Sequence, residues 1–410
     1  MNGYRRLISN RIFILYWGGS TFVQLALQFV TIALAWFVLQ TTGSPMRVAY
    51  VLAVIPIARM FTSPFIGYLI DRLPRRALMI LDNTSQMILY ASIPMLEWRH
   101  VLTFPLLLAV VGAAAALSPL SMIGRGVLLP NIVSEHDLEP ANGLIQLRSS
   151  MVYLMGPALG GMLVAFLGAP GTLLVTAGCY AVYIASLLTI PVRTYDTGSG
   201  DPLAAQTHSR LKPWHFLRHN PVLLILGVVT LFFNITYGPL EPALPILVSR
   251  VFHAGASTLG LIWSSFAVGA LGGTLMWERV RPRWSLRFVV AGIIMSWGLF
   301  SALVGLTQHP WQAMALLFCG GFTYAPYNIV ATTWQQRLIP NSMRGTVLGT
   351  IQSVTSAGLP IGQLLGGMVV SVVGAQTTIA MGGAATVVLG LSVVSLRASW
   401  AHLPRENSSC

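Results

Sequence analysis

One half of this sequence repeats the other at a fixed offset of 206 residues, the separation of Gly67 from Gly273. Gly67-Tyr68-Leu69 lines up with Gly273-Thr274-Leu275, and Gly143-Leu144-Ile145-Gln146 with Gly349-Thr350-Ile351-Gln352. Gly160-Gly161-Met162 lines up with Gly366-Gly367-Met368, and Gly168-Ala169 with Gly374-Ala375. Separate regions that keep one offset mean that a whole half was duplicated in the same orientation. In an apolar chain, such a duplication predicts two parallel helical bundles with a substrate site between them.

The chain is apolar enough for that reading. It is 55% hydrophobic and 9% charged, with a mean hydropathy of +0.71, where a soluble protein carries roughly 25% charged residues. A soluble fold cannot hide this much apolar surface, so lipid is the expected solvent. At roughly 20 residues per span, the length allows about twelve membrane helices, about six per half. They read as 11–40, 45–70, 77–97, 101–128, 143–167, 169–193, 220–247, 257–277, 286–306, 311–335, 345–370 and 375–398. No small-residue cleavage site follows the first run, which is expected to be a retained span rather than a signal peptide.

The net charge of +13 is distributed in a way that argues against nucleic acid as a partner. Basic residues cluster in alternate connections: Arg5, Arg6; Arg72, Arg75, Arg76; Arg210, Lys212, Arg218; Arg279, Arg281, Arg283, Arg287; Arg337, Arg344; Arg397, Arg405. The opposite connections hold Arg47, Arg99 and Arg250. The positive-inside rule then places both termini in the cytoplasm of a multi-pass cell-membrane protein whose basic loops face anionic headgroups. The expected division is a bundle over 1–193, a polar Gly/Ser/Asp/Pro linker over 194–219, a second bundle over 220–398 and a tail over 399–410. A short amphipathic helix is expected at Leu211 to Leu217.

Enzymatic chemistry is not expected. The single lysine, Lys212, follows no glycine-rich loop, so there is no phosphate-binding loop. No nucleophile–base pair or metal spacing occurs, and Cys179, Cys319 and Cys410 lie far apart. Neither a cofactor nor a metal is implied. Uphill transport would need an ion gradient or a separate subunit.

Three motifs carry a resemblance. Gly67-Tyr68-Leu69-Ile70-Asp71-Arg72-Leu73-Pro74-Arg75-Arg76 resembles the signature loop of the major facilitator superfamily, G-x-L-x-x-D-R-x-x-R-R/K. Gly143 followed by Gly156-Pro157-Ala158-Leu159-Gly160-Gly161 resembles the fifth-span motif of its proton-coupled exporters, with Val152 at one glycine position. Arg125-Gly126-Val127-Leu128-Leu129-Pro130, then Leu138-Glu139-Pro140-Ala141-Asn142, is similar to the link seen in the macrolide-efflux and enterobactin-exporter branch. The resemblance implies an all-α fold of twelve spans in two pseudo-symmetric six-helix bundles. It also implies an inner gate governed by Gly67, Asp71, Arg72, Arg75 and Arg76, and a packing helix built on Gly156, Pro157, Gly160 and Gly161. The second-half loop, Gly273 to Arg279, is degenerate: Trp277 replaces the aspartate.

Ionisable residues within a bilayer are expensive and mark function by default. Asp82, Arg125 and Glu241 are the candidates for proton coupling; Asp82 reads equally as a structural partner of the first-loop arginines. Arg59 lies near the middle of its span. Polar residues at helical spacing give a candidate substrate lining of Gln24, Gln28, Arg59, Asn234, Tyr237, Tyr324, Tyr327 and Asn328. The expected function is secondary active export of a small amphipathic molecule, drug- or macrolide-like. Alternating access drives it, with the proton antiport that the resemblance implies, and the chain works as a monomer. The alternatives are a siderophore or other natural-product exporter, a lysophospholipid translocator, and a non-transporting membrane sensor.

Overall fold

The computed structural model describes residues 2–70, 75–121, 129, 132–190, 213–280, 285–340 and 344–395. Asp71, Arg72 and Arg125 lie outside them. The described chain is helical nearly throughout. The helices are α1 (Asn2–Ser9), α2 (Arg11–Thr42), α3 (Pro45–Ile70), α4 (Arg75–Trp98), α5 (Phe104–Leu117) and α6 (Leu138–Thr189). They continue with α7 (Pro213–His219), α8 (Pro221–Tyr237), α9 (Leu240–Ile246), a π-helical turn (Leu247–Val251) and α10 (Ala256–Val280). The last four are α11 (Leu286–Val304), α12 (Pro310–Leu338), α13 (Arg344–Ser356) and α14 (Gly358–Ser395).

Local chemistry sets the boundaries. Proline opens α3, α7, α8 and α12, where its missing N–H removes a donor that has no helical partner anyway. Asn10 caps α2, its side chain accepting from the N–H groups of Ile12 and Phe13 at 3.0 and 3.2 Å. Gly43, at φ 61°, ends that helix with its N–H on the Leu39 carbonyl at 2.8 Å.

Nine stretches among the described residues are long and apolar enough to cross a membrane. Two of them run for 52 and 49 residues, more than twice the roughly 20 that one span needs. Each is broken by one glycine: Gly168 at φ 71°, ψ 169° and Gly374 at φ 83°, ψ 169°. These are partners in the 206-residue repeat, so the duplication is preserved as an identical backbone bend. The expected boundary between 143–167 and 169–193 falls on the first of these glycines. Helix α4 is span-length at 24 residues but carries Asp82, Asn83 and Gln86, and falls short of that apolarity.

Burial is distributed as lipid solvation requires. Phe65, Phe166 and Val372 are 77%, 80% and 83% exposed, whereas Asn83, Thr172 and Ser20 are fully buried. Cα packing divides the chain into two units, Met1–Asp201 with Leu244–Ser264, and Pro202–Ala243 with Ser265–Cys410. In the first, α6 packs on α2 and α4; in the second, α14 packs on α8 and α11. With α2, α4 and α6 repeated as α8–α9, α11 and α13–α14, the two packing schemes match. Of the expected short helix, the described residues form α7, which buries Leu217 against Leu223, Ile339, Val347 and Ile351.

A polar corner fixes the start of the first unit. Arg6 donates to Asp137 Oδ1 at 2.8 Å, Ser134 Oγ to Asp137 Oδ2 at 2.9 Å, and Asn10 Nδ2 to the Ile132 carbonyl at 3.2 Å. The Ser134 hydroxyl and then the Arg6 guanidinium hold the Asp137 carboxyl below the usual aspartate range.

Both bend glycines occupy a region open essentially to glycine alone, so Gly168→Ala and Gly374→Ala should each destabilise by about 1–3 kcal/mol. Thermal unfolding in detergent measures this, and two unchanged midpoints would remove backbone strain as the reason for the glycines. The polar corner has a pH signature of its own. A depressed carboxyl stabilises the folded state above the unfolded value of about 3.9 and loses that contribution as pH falls through the folded value. Melting curves taken down through that range should fall more steeply for the native chain than for Asp137→Asn.

Candidate functional site

The second unit concentrates aromatic side chains around Phe233, with one carboxylate, Glu241, at the edge of the cluster. Along α8, Thr230, Phe233, Asn234 and Tyr237 recur at three- and four-residue spacing and share a face. Glu241 follows one turn on, in α9. Tyr324 and Tyr327 come from α12, Trp297 from α11 and Phe266 from α10. The Phe233 ring lies at the centre. Its centroid is 5.2 Å from Tyr324, 6.0 Å from Tyr327 and 6.2 Å from Tyr237, all nearly parallel. Trp297 is tilted at 6.5 Å from Phe233 and meets Phe266 edge-on at 5.4 Å. Ring pairs at such separations add attraction beyond their buried area and stiffen the wall they form.

Polar groups complete this wall. Tyr327 and Thr230 share a hydroxyl hydrogen bond of 2.7 Å, and Asn234 Nδ2 donates to the Thr355 carbonyl at 2.9 Å. Asn328, exposed at the surface, hydrogen-bonds Tyr324. Gln363 Nε2 donates to Glu241 Oε2 at 2.5 Å, and the Tyr237 hydroxyl also hydrogen-bonds that carboxylate. Gln363 is 2% exposed, and its Oε1 is buried with no hydrogen-bond partner. Two hydrogen-bond donors, the Gln363 amide and the Tyr237 hydroxyl, thus converge on one carboxylate.

The first unit holds a polar pocket of about 60 Å³ lined by Arg59, Asp82, Asn83, Gln86, Ser118 and Tyr180, among others. Arg59 Nε donates to Ser118 Oγ at 2.9 Å. Asn83 Nδ2 donates to the Met79 carbonyl and Ser121 Oγ at 2.6 and 2.8 Å, and Gln86 Nε2 to the Ala114 carbonyl and Asp82 Oδ1 at 2.7 and 3.2 Å. These acceptors fix both amide orientations, which leaves Asn83 Oδ1 and Gln86 Oε1 buried without donors. Of the first-loop arginines, Arg76 is described, and it donates to the Leu188 carbonyl at 2.8 Å.

The glycine motif of α6 is a two-sided packing surface within the first unit. On one side α2 closes in: a Cβ on Gly156 would lie 2.7 Å from Gln28 Cγ, and one on Gly160 3.2 Å from Phe29 Cδ1. On the other side, a Cβ on Gly161 would run into the Ala256 carbonyl, and one on Gly260 into the Pro157 carbonyl. Ser264 Oγ accepts the Ala158 N–H at 3.1 Å. Nearby, Ser149 Oγ donates to Gln24 Oε1 at 3.3 Å, and the buried Arg148 donates to Ser20 Oγ and the Trp17 carbonyl.

The candidate residues thus gather in separate places. Arg59 and Asp82 share the polar pocket. Asn234, Tyr237, Glu241, Tyr324, Tyr327 and Asn328 belong to the aromatic cluster and its edge, and Gln24 and Gln28 to the α2–α6 contact. Gly67 and Arg75 lie at the end of α3 and the start of α4. Phe233, Phe266, Trp297 and Gln363 were not expected at a site. A phenylalanine or tryptophan in an apolar helix carries no sequence signal of its own, and Gln363 meets Glu241 across 122 residues of chain.

The sequence matches the family model described as transmembrane secretion effector over residues 6–408. It is 25% identical over 378 residues to the multidrug efflux pump Tap of Mycolicibacterium fortuitum, covering 89% of this chain and 90% of that one. The Tap pump of Mycobacterium tuberculosis (strain ATCC 25618 / H37Rv) is also 25% identical, over 379 residues, 90% of this chain and 89% of that one. Among solved structures, a bacterial homologue of the iron transporter ferroportin in an inward-facing state superposes with a TM-score of 0.74 at 16% identity, covering 96% of this chain and 99% of that one. The nucleoside transporter NupG gives 0.69 at 14% identity, covering 92% of this chain and 98% of that one. At these identities the structural likeness is one of fold.

The α6–α10 contact is backbone against backbone, so Gly260→Val should overpack it, at about 1–3 kcal/mol, and lower the melting midpoint. Gly178→Val, where an added side chain meets nothing within 4 Å, serves as the control. Equal effects of the two would show that the close approach is unimportant.

Proposed function

We propose that this chain, which belongs to the transmembrane secretion effector family of the major facilitator superfamily, exports a small amphipathic drug-like molecule by alternating access in antiport with protons. The observation that carries this reading is the half-buried Glu241 carboxylate, held by Gln363 and Tyr237 at the edge of the aromatic cluster. A carboxylate in such surroundings needs a compensating charge, and a proton and a cationic group compete to supply it.

In this reading Glu241 is the exchange site. Ionised, it accepts from Gln363 Nε2 and Tyr237. Protonated, it becomes a donor, and the unpartnered Gln363 Oε1 can receive that hydrogen once the amide turns over. The Glu241 carboxyl group therefore has a hydrogen-bond partner in either protonation state, which is what a coupled cycle requires. Rings of Phe233, Tyr237 and Tyr324 suit a substrate with an apolar ring system and one positive charge, through stacking and cation–π attraction. That favours a weakly basic drug-like solute over an anionic siderophore or a lysophospholipid. The Tap relatives, named as multidrug efflux pumps, support the same class.

Asp82 has a different setting. Arg59 lines the same pocket and supplies a standing positive charge, so we assign this pair to holding the first bundle together. The first-loop residues Gly67, Asp71, Arg72, Arg75 and Arg76 govern the inner gate in this scheme, and the basic connections face the cytoplasm.

The test is flux in proteoliposomes carrying an imposed pH gradient, with lumenal pH followed while weakly basic drugs are added. Substrate-dependent proton flux is expected from the native chain and from Asp82→Asn, and none from Glu241→Gln. Substrate movement with no proton flux in the native chain would sink the antiport reading. Proton flux lost in Asp82→Asn alone would move the exchange site to the first unit.

A further inference from the structure

We infer that the second unit carries a slot for one acyl chain of an anionic membrane phospholipid, with arginines at its rim holding the headgroup phosphate. The slot is a cavity of about 290 Å³ among α10, α11 and α12, walled by Met276, Trp277, Phe288, Gly292, Phe322 and Pro326, among others. Its origin is local. Gly273 brings α10 onto the backbone of Phe322, so these helices touch at that level, whereas a Cβ on Gly292 would meet nothing within 4 Å. Pro326 removes one helical hydrogen bond from α12 beside the space.

The lining selects an apolar occupant. Its two hydroxyls are spent on their own helices: Ser296 Oγ donates to the Ile293 carbonyl at 3.0 Å, and Thr323 Oγ1 to the Cys319 and Gly320 carbonyls at 3.2 and 3.0 Å. Little of the slot's wall is polar, so it offers water few partners, and an alkyl chain needs none. Met276 and Phe288 at the opening are 43% and 42% exposed, so the slot is reached from the lipid side of the helices.

The rim selects the headgroup. The Arg287 guanidinium lies 4.5 Å from the centroid of the Phe288 ring, and the exposed Arg279 follows Met276 by one helical turn. Among the described residues no carboxylate pairs with either. A basic cluster at the cytoplasmic end of an apolar interhelical slot matches a phosphodiester whose chain is buried beside it. The duplicated half shows that the slot is not a by-product of the fold. The repeat partners of Phe288, Val289 and Gly292 are Asp82, Asn83 and Gln86, which make a polar pocket instead.

Trp277 in the wall supplies the probe. The full chain is placed in nanodiscs containing phosphatidylglycerol or phosphatidylcholine with brominated acyl chains, and quenching is compared with that of Trp277→Phe to isolate this residue. Trp277 should be quenched more by the anionic lipid at equal mole fraction. Gly292→Leu, which fills the slot without a clash, should abolish the excess. Arg279→Gln or Arg287→Gln should each lower the preference about fivefold. Equal quenching by both lipids overturns the headgroup assignment, and undiminished quenching in Gly292→Leu overturns the slot. Relief of quenching by a transported drug would make it a substrate site and also overturn the proposal. Should Gly292→Leu not assemble, the arginine variants decide alone, since a slot without headgroup recognition leaves all chains alike.

Discussion

A polar group inside a bilayer has no water to turn to, and every one must find its partner within the protein. Most hydroxyls here solve this locally. Thr21, Thr41, Thr42, Thr62 and Thr230 each donate to a carbonyl four residues back, which leaves the helix apolar to its neighbours. Side chains that cannot close on their own helix are forced together, among them Asp82, Asn83 and Gln86 with Arg59, and Arg148 with Ser20, in the first unit, and Glu241 with Gln363 and Tyr237 in the second. The solvent thus concentrates the chemistry, because a scattered amide or carboxylate would carry its desolvation penalty alone.

The same solvent removes the usual reason for helices to associate. Lipid tails are as apolar as leucine, so close packing has to supply the attraction, and small residues let backbones supply it. Gly161 and Gly260 do this between α6 and α10, and Gly238 with Gly362 does it between the end of α8 and α14. Contacts of this type have no flexible side chain to absorb a displacement. They are either made or broken, which is the property a two-state transporter needs from its helix contacts.

The periodicity of apolar runs made the spans legible, and the 206-residue repeat made the duplication legible down to the pair of bend glycines. Both signals are one-dimensional, and the structure keeps them. The site was legible only in part. Glu241, Tyr237, Tyr324 and Tyr327 stand out because a charge or phenol in an apolar run is unusual. Phe233, Trp297 and Gln363 do not stand out, since their roles arise from which helices meet, and α8, α11, α12 and α14 meet through contacts far apart in sequence. Asp82 had two readings from sequence; its place in one pocket with Arg59 comes from the packing of both α3 and α4 on α5, which the repeat alone does not specify.

The two halves also show how one duplicated scaffold came to hold different chemistry. Tyr324 and Tyr327 are the repeat partners of Ser118 and Ser121, and Trp297 is that of Ala91. Where the second unit stacks rings, the first has small side chains, and polar groups from α3 and α4 fill the room that remains. Glu241 and Gln363 replace Ala35 and Pro157 of the first half, so the carboxylate and its amide partner arose together on one side of the repeat. Two symmetric carboxylates would each need a proton or a cation at every step. In the proposed cycle a single carboxylate at the edge of the aromatic cluster, opposed in the sequence repeat by the apolar Ala35, places the charge change in one unit. Division of labour of this kind keeps the fold symmetric where helices pack and asymmetric where charge must move.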